Sequence, residues 1–152
     1  MAESSGAALL KLMDVVARLR DPTSGCPWDL EQTHRTLVPY VLEEANEVAD
    51  AIRNGDDDHL CEELGDLLLQ VVLHAQIASE SKRFDLAQVA SGISAKLIRR
   101  HPHVFGGEPR SWDAIKAEEQ EQDGADSTSP LSDLLAKKVR GQHALAGAMT
   151  IS

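Results

Sequence analysis

Leu9, Leu12, Met13 and Val16 recur three and four residues apart, the repeat of one helix face, and predict a first helix from Ala7 to Leu19. Arg20 to Trp28 holds two prolines and a glycine and reads as a loop. A second helix is expected from Thr36 to Arg53, with Pro39 in its first turn, where a missing N–H does no harm. Its core-facing stripe reads Leu37, Val41, Ala45, Val48 and Ile52. Asn54-Gly55 ends it, because both residue types accept positive φ. A third helix follows from Asp58 to Ser81, opened by Asp56–Asp58, whose charges complement the helix dipole. A fourth spans Asp85 to Arg100, and Asp85 with Gln88 has the spacing of a capping box.

His101-Pro102 stops that helix, and Gly106-Gly107-Glu108-Pro109 is a turn. Ser111 can then cap a short helix reaching Gln122. Asp123 to Pro130 has linker composition, and a weak amphipathic piece, Leu131 to Arg140, precedes a tail of small residues expected to be flexible. The chain shows no internal repeat. Short connections between successive helices predict an all-α, antiparallel helical bundle over residues 1–122, with 123–152 as linker, short helix and tail.

The second and third helices each carry an acidic pair three residues apart, Glu44/Glu47 and Glu63/Asp66. That spacing puts both carboxylates of a pair on one helix face. On the third helix, leucines and valines from Leu60 to Leu73 cover most of the circumference, leaving a narrow strip of Glu63, Asp66, Gln70 and His74. Carboxylates in an apolar frame must protonate, pair or bind a cation, since burying an unpaired charge costs several kcal/mol. Too few basic residues lie near the strip to pair all four. Mg²⁺ meets the need: it prefers carboxylate oxygen, keeps part of its water and adds substrate phosphates readily. On spacing alone a solvated or ion-paired acidic face remains the alternative. A di-iron bundle would want two Glu-x-x-His units, and the sequence holds only one, Glu31 to His34.

Composition narrows the partners. The 152 residues include 25 acidic and 15 basic side chains, a formal charge of −10, which argues against general nucleic-acid binding. The longest apolar run, Leu67 to Leu73, is interrupted by Gln70 and is far too short to span a membrane. The first residues lack the basic-then-apolar pattern of a secretory signal. Cys26 and Cys61 are expected to be small buried hydrophobes in a reducing cytoplasm. Trp28 is expected to plug the loop at Pro27, and His74 to be a buried hydrogen-bonding residue.

GCPWDLEQTH (Gly25 to His34), LEEANEVADAI (Leu42 to Ile52), EELGDLLLQVVLHAQIA (Glu62 to Ala78) and RRHPHVFG (Arg99 to Gly106) together resemble the MazG family of nucleoside triphosphate pyrophosphohydrolases. The resemblance runs from about Leu9 to Glu119 and rests on four segments agreeing in order and spacing. It implies hydrolysis of a nucleoside triphosphate to monophosphate and pyrophosphate, with Mg²⁺ required and Mn²⁺ as a possible substitute. By the resemblance Glu44, Glu47, Glu63 and Asp66 are the metal ligands, and Lys96, Arg99 and Arg100 contact the triphosphate. Trp112 falls where the family places an aromatic near the nucleotide. Glu43 or Glu62, beside the ligands, is the candidate general base. The family also implies a homodimer or dimer of dimers, which suits a third helix apolar on almost every side. A broad, house-cleaning specificity is expected, because recognition through metal and arginines ignores the base. The competing reading is a nucleotide- or metal-binding regulatory module with a degenerate site. Longer family members carry a second domain copy or a fuller extension after this region, so any function housed there is in doubt.

Overall fold

The computed structural model describes residues 2–107 and 110–126. Six helices make up the secondary structure of the described residues, with no strand among them: α1 (Ser5–Leu19), α2 (Pro27–Glu31), α3 (Val38–Asn54), α4 (Asp57–Glu80), α5 (Leu86–Arg100) and α6 (Trp112–Asp126). The all-α expectation holds. Two compact units meet between Ser94 and Ala95, within α5.

In the first unit α1 starts two residues before the expected Ala7, because Ser4 caps it by accepting from the Ala7 amide at 3.1 Å. At the expected start of α4, Asp56 accepts from the His59 amide at 3.2 Å. Gly55 ends α3 at φ 70°, and Asp85 and Gln88 exchange side-chain-to-backbone bonds of 2.9 and 3.0 Å.

The segment expected to be all loop contains one turn of helix. Pro27 takes the first position of α2, where its fixed φ suits the helix and no N–H is needed. Trp28, instead of plugging the loop, is 46% exposed and meets Tyr40 edge to face at 5.7 Å. Gly25 is sterically obligatory here, since a Cβ would lie 2.4 Å from the Leu19 carbonyl oxygen. Arg20 ties the segment down. Its guanidinium donates to Glu80 and to the carbonyls of Asp29 and Gln32, and this pairing holds the Glu80 carboxyl below its usual range. Cys61 is exposed and Cys26 half-buried, so the expectation of two buried thiols fails for Cys61.

α1 and α3 both pack on α4. The core joins Val16 of α1, Leu37 ahead of α3, and Val72 and Leu73 of α4, with Leu12, Met13, Leu69, Ile77 and Leu86 against it. Leu37 and Val16 are the largest fully buried side chains, each contributing about 1.5–3 kcal/mol through burial. Only Gly55 and Asp56 link α3 to α4, so the two run antiparallel as a hairpin. The buried stripe of α3 differs from the expected one. Ile52 is 60% exposed and Ala45 is exposed, while Leu37 and Ala51 are buried and Val41, Glu44 and Val48 half-buried. The stripe keeps a seven-residue repeat, as in a helical hairpin, and so drifts away from Ile52. Glu44 thus lies within the packing face. A second apolar face stays open, with Leu42 59%, Leu64 48%, Leu68 42% and Val71 42% exposed.

In the second unit, α5 ends as His101 meets the Leu97 carbonyl at 2.7 Å, and Gly106 turns the chain at φ 82°. Ser111 caps α6 through the Ala114 amide at 3.2 Å, and Ile115 is buried. α6 continues to Asp126, four residues into the segment read as linker. One glycine there lowers helix stability by only about 1 kcal/mol, and no proline intervenes before Pro130. The expected helix at Leu131–Arg140 and the tail lie outside the described residues.

Candidate metal centre

The α3–α4 hairpin brings the two acidic pairs face to face. Glu44, Glu47, Glu63 and Asp66 each offer a carboxylate oxygen, and these four oxygens lie within 4.8 Å of one another. Glu63 is buried, and Glu44 and Glu47 are half-buried. One oxygen each of Glu44 and Glu63 (Oε2 in both) is shut off from solvent without a hydrogen-bond partner. Buried acceptors left in that state cost several kcal/mol, so the donor set fits a hard divalent cation. Glu43 and Glu62 are exposed on the neighbouring flanks and stand outside the four.

The proton affinities agree with crowding. Burial, followed by repulsion from Asp66, Glu47 and Glu43, raises the Glu44 carboxyl above its usual range. Glu47 is raised chiefly because its protonated form hydrogen-bonds Glu63, and next by repulsion from the Glu63 charge. A cation between them would replace those protons.

Sequence reasoning missed His59. Its Nε2 lies 3.0 Å from Glu63 Oε1, one turn away on α4. The i,i+4 spacing of His59 and Glu63 carried the signal. The bond engages one oxygen of Glu63 and leaves the solvent-free Oε2 for the cluster.

Further along the polar strip of α4, Gln70 is buried and His74 half-buried, as the wheel predicts. His74 meets His34 edge to edge, ring centres 4.9 Å apart and planes 6° from parallel, with their Nδ1 atoms 2.7 Å apart. Arg83 approaches the other nitrogen of His34 at 2.7 Å.

The second unit, taken by itself, gathers the basic residues. Lys96, Arg99 and Arg100 line a polar cavity of about 320 Å³ together with Glu119, Gln122 and Asp123. Glu119 accepts from Arg99 Nε at 3.0 Å, Arg100 Nε at 3.1 Å and Arg100 Nη2 at 2.9 Å. Those bonds, Arg100 first, hold its carboxyl down at about 2. The Trp112 ring centre lies 5.0 Å from the Arg100 guanidinium carbon and 5.4 Å from Lys116 Nζ, two cation–π contacts. Arg110 pairs with Glu118. Nothing local in the sequence signals Glu119, because its partners lie 19 and 20 residues away.

Known proteins resemble this chain in sequence and in fold. The family model described as the MazG nucleotide pyrophosphohydrolase domain matches residues 32–105, which contain all four clustered acids and all three basic residues. A nucleoside triphosphate pyrophosphohydrolase of Escherichia coli K12 is 51% identical over 120 residues, covering 74% of this chain and 46% of that protein. The Thermotoga maritima nucleoside triphosphate pyrophosphohydrolase/pyrophosphatase MazG is 47% identical over 122 residues, covering 78% and 48%. This chain thus spans about half the length of those relatives. Among solved structures, a mazG-related protein from Thermotoga maritima superposes with a TM-score of 0.57 at 28% identity, over 74% of this chain and 98% of that one. By domain, relatives and helical architecture, the chain belongs to the MazG family.

Proposed function

We propose that the chain hydrolyses nucleoside triphosphates to the monophosphate and pyrophosphate, with Mg²⁺ as the working cation and little selection of the base. The observation that carries this reading is the quartet of carboxylates within 4.8 Å, two of them bearing solvent-free, unpartnered oxygens, inside the region shared with the pyrophosphohydrolases. Glu44, Glu47, Glu63 and Asp66 would hold the cation, and Mn²⁺ fits the same oxygen donors. Bound there, the metal neutralises phosphate charge and acidifies a water.

The chain's own groups do the rest. Lys96, Arg99 and Arg100 bind and orient the triphosphate oxygens, with guanidinium forks matched to phosphate geometry. Water adds across the α–β phosphoanhydride, forming one P–O bond and breaking the bridging one, and pyrophosphate departs. The proton released passes to an exposed carboxylate beside the ligands, Glu43 or Glu62. Trp112 makes cation–π contacts with Arg100 and Lys116 and, 47% exposed, keeps ring surface for a nucleotide. The open apolar face formed by Leu42, Leu64, Leu68 and Val71 supports a homodimer or a dimer of dimers. Among the described residues no helix is long and apolar enough to cross a membrane. The substrate class points to the cytoplasm, where nucleoside triphosphates are made and used, and the excess of acidic residues speaks against a nucleic-acid partner.

The test is pyrophosphate release from a panel of ribo- and deoxyribonucleoside triphosphates, with Mg²⁺ and with chelator. Release that needs the metal and varies little with the base is the expected result. Binding of nucleotide without release above background from any member would replace this reading with that of a regulatory module.

A further inference from the structure

We propose that Glu119 is a positioning residue for the anion cradle of the second unit, aligning Arg99 and Arg100 for phosphate instead of competing with it. This rests on the reading above, in which those arginines contact the triphosphate. Two long cationic side chains at adjacent positions of a helix end repel each other and lose rotamer freedom when ordered. Glu119, its side chain 13% exposed, removes both problems by bridging them with three charge-assisted bonds.

The choice of atoms separates alignment from blockade. Glu119 takes Nε of both arginines and Nη2 of Arg100. Among the described residues, Nη1 and Nη2 of Arg99 and Nη1 of Arg100 have no hydrogen-bond partner, so phosphate-binding donors remain. Arg99 is 45% exposed and keeps its terminal edge open, while Arg100, 24% exposed, is held from one side by Glu119 and from its face by Trp112. By residue type the lining holds three basic side chains against two acidic ones, so the cavity keeps its attraction for phosphate.

The experiment measures inorganic tripolyphosphate binding by calorimetry, and KM and kcat for a hydrolysed triphosphate, in wild type, E119Q, E119D, R99A/R100A and the triple variant. E119Q should weaken tripolyphosphate binding and raise KM by about tenfold while changing kcat less. E119D, which keeps the charge, should recover part of the loss. In the R99A/R100A background E119Q should do nothing further, a result that a general packing role would not produce. Unchanged or tighter binding in E119Q overturns the proposal, as does an equal E119Q effect without the arginines. If E119Q melts below the assay temperature, E119D decides by the same criterion: weaker binding supports the clamp, and tighter or unchanged binding refutes it. Should R99A/R100A bind tripolyphosphate as wild type does, the underlying reading of the cradle fails first, and the clamp with it.

Discussion

His34 and His74 share a single proton between their Nδ1 atoms, 2.7 Å apart in rings set edge to edge. Arg83 can only donate, so His34 Nε2 accepts from it and the neutral His34 ring carries its proton on Nδ1. His74 Nδ1 must then accept, which places the His74 proton on Nε2, a buried atom with no partner. A proton added to either ring would set two donors against each other.

Burial first, and neighbouring positive groups second, lower both histidines from the ordinary 6.5. A lowered folded-state value means the unfolded chain binds more protons, so this part of the stability is complete above 6.5 and is lost progressively as pH falls below it. The wild-type thermal midpoint should therefore fall relative to that of His74→Gln from about pH 6.5 downward, a difference from which the opposite trend of the raised carboxyls Glu44 and Glu47 cancels. Scanning calorimetry of both proteins between pH 5 and 8 checks this. Parallel profiles for the two proteins through that range would contradict the proton assignment.

Glu47→Gln should lower turnover by more than about a hundredfold while raising the melting temperature of the metal-free protein. The sign follows from Glu47 being raised: its favourable contribution exists at acid pH and is lost as pH rises through the folded-state value, so at neutral pH its charge strains the cluster. Mg²⁺ should stabilise the wild type and leave Glu47→Gln nearly unmoved. Melts with and without Mg²⁺ give the answer, and near-normal turnover in the variant would remove Glu47 from the ligand set. Asp66→Asn is expected to behave alike.

His59→Ala frees the second oxygen of Glu63 and should weaken Mn²⁺ binding by about ten- to a hundredfold with little loss of fold. Titration followed by the electron paramagnetic resonance signal of free Mn²⁺ reads this directly. His59→Asn, too short to reach across one helical turn, should show the same defect.

Most of the helices were legible because each begins or ends on chemistry local to the chain: Gly55, Asp56, the Asp85–Gln88 exchange and Ser111. The four clustered acids were legible too, since i,i+3 spacing on two helices joined by a two-residue link leaves them little choice of face. α2 was hidden by Pro22 and Pro27, which read as breakers although Pro27 starts the helix. The packing stripe of α3 was legible at Leu37, Val41 and Val48 but not at Ala45 and Ile52, because a seven-residue repeat and a 3.6-residue wheel diverge along the helix. His34 against His74, and Glu119 against Arg99 and Arg100, are pairings between distant stretches of sequence, which no local pattern encodes.

The two-residue link between α3 and α4 bears on how the protein comes to be folded at all. Pairings across so short a connection form early, before Leu37 and Val16 can be sealed from water. The nascent hairpin therefore meets the mutual repulsion of its own acids at the stage when least else holds it together. Refolding monitored by stopped flow should run faster when Mg²⁺ is supplied at the start than when it is added after the chain has closed, and chelator should slow it; the cation of the finished protein would then also serve as a chaperone for its making.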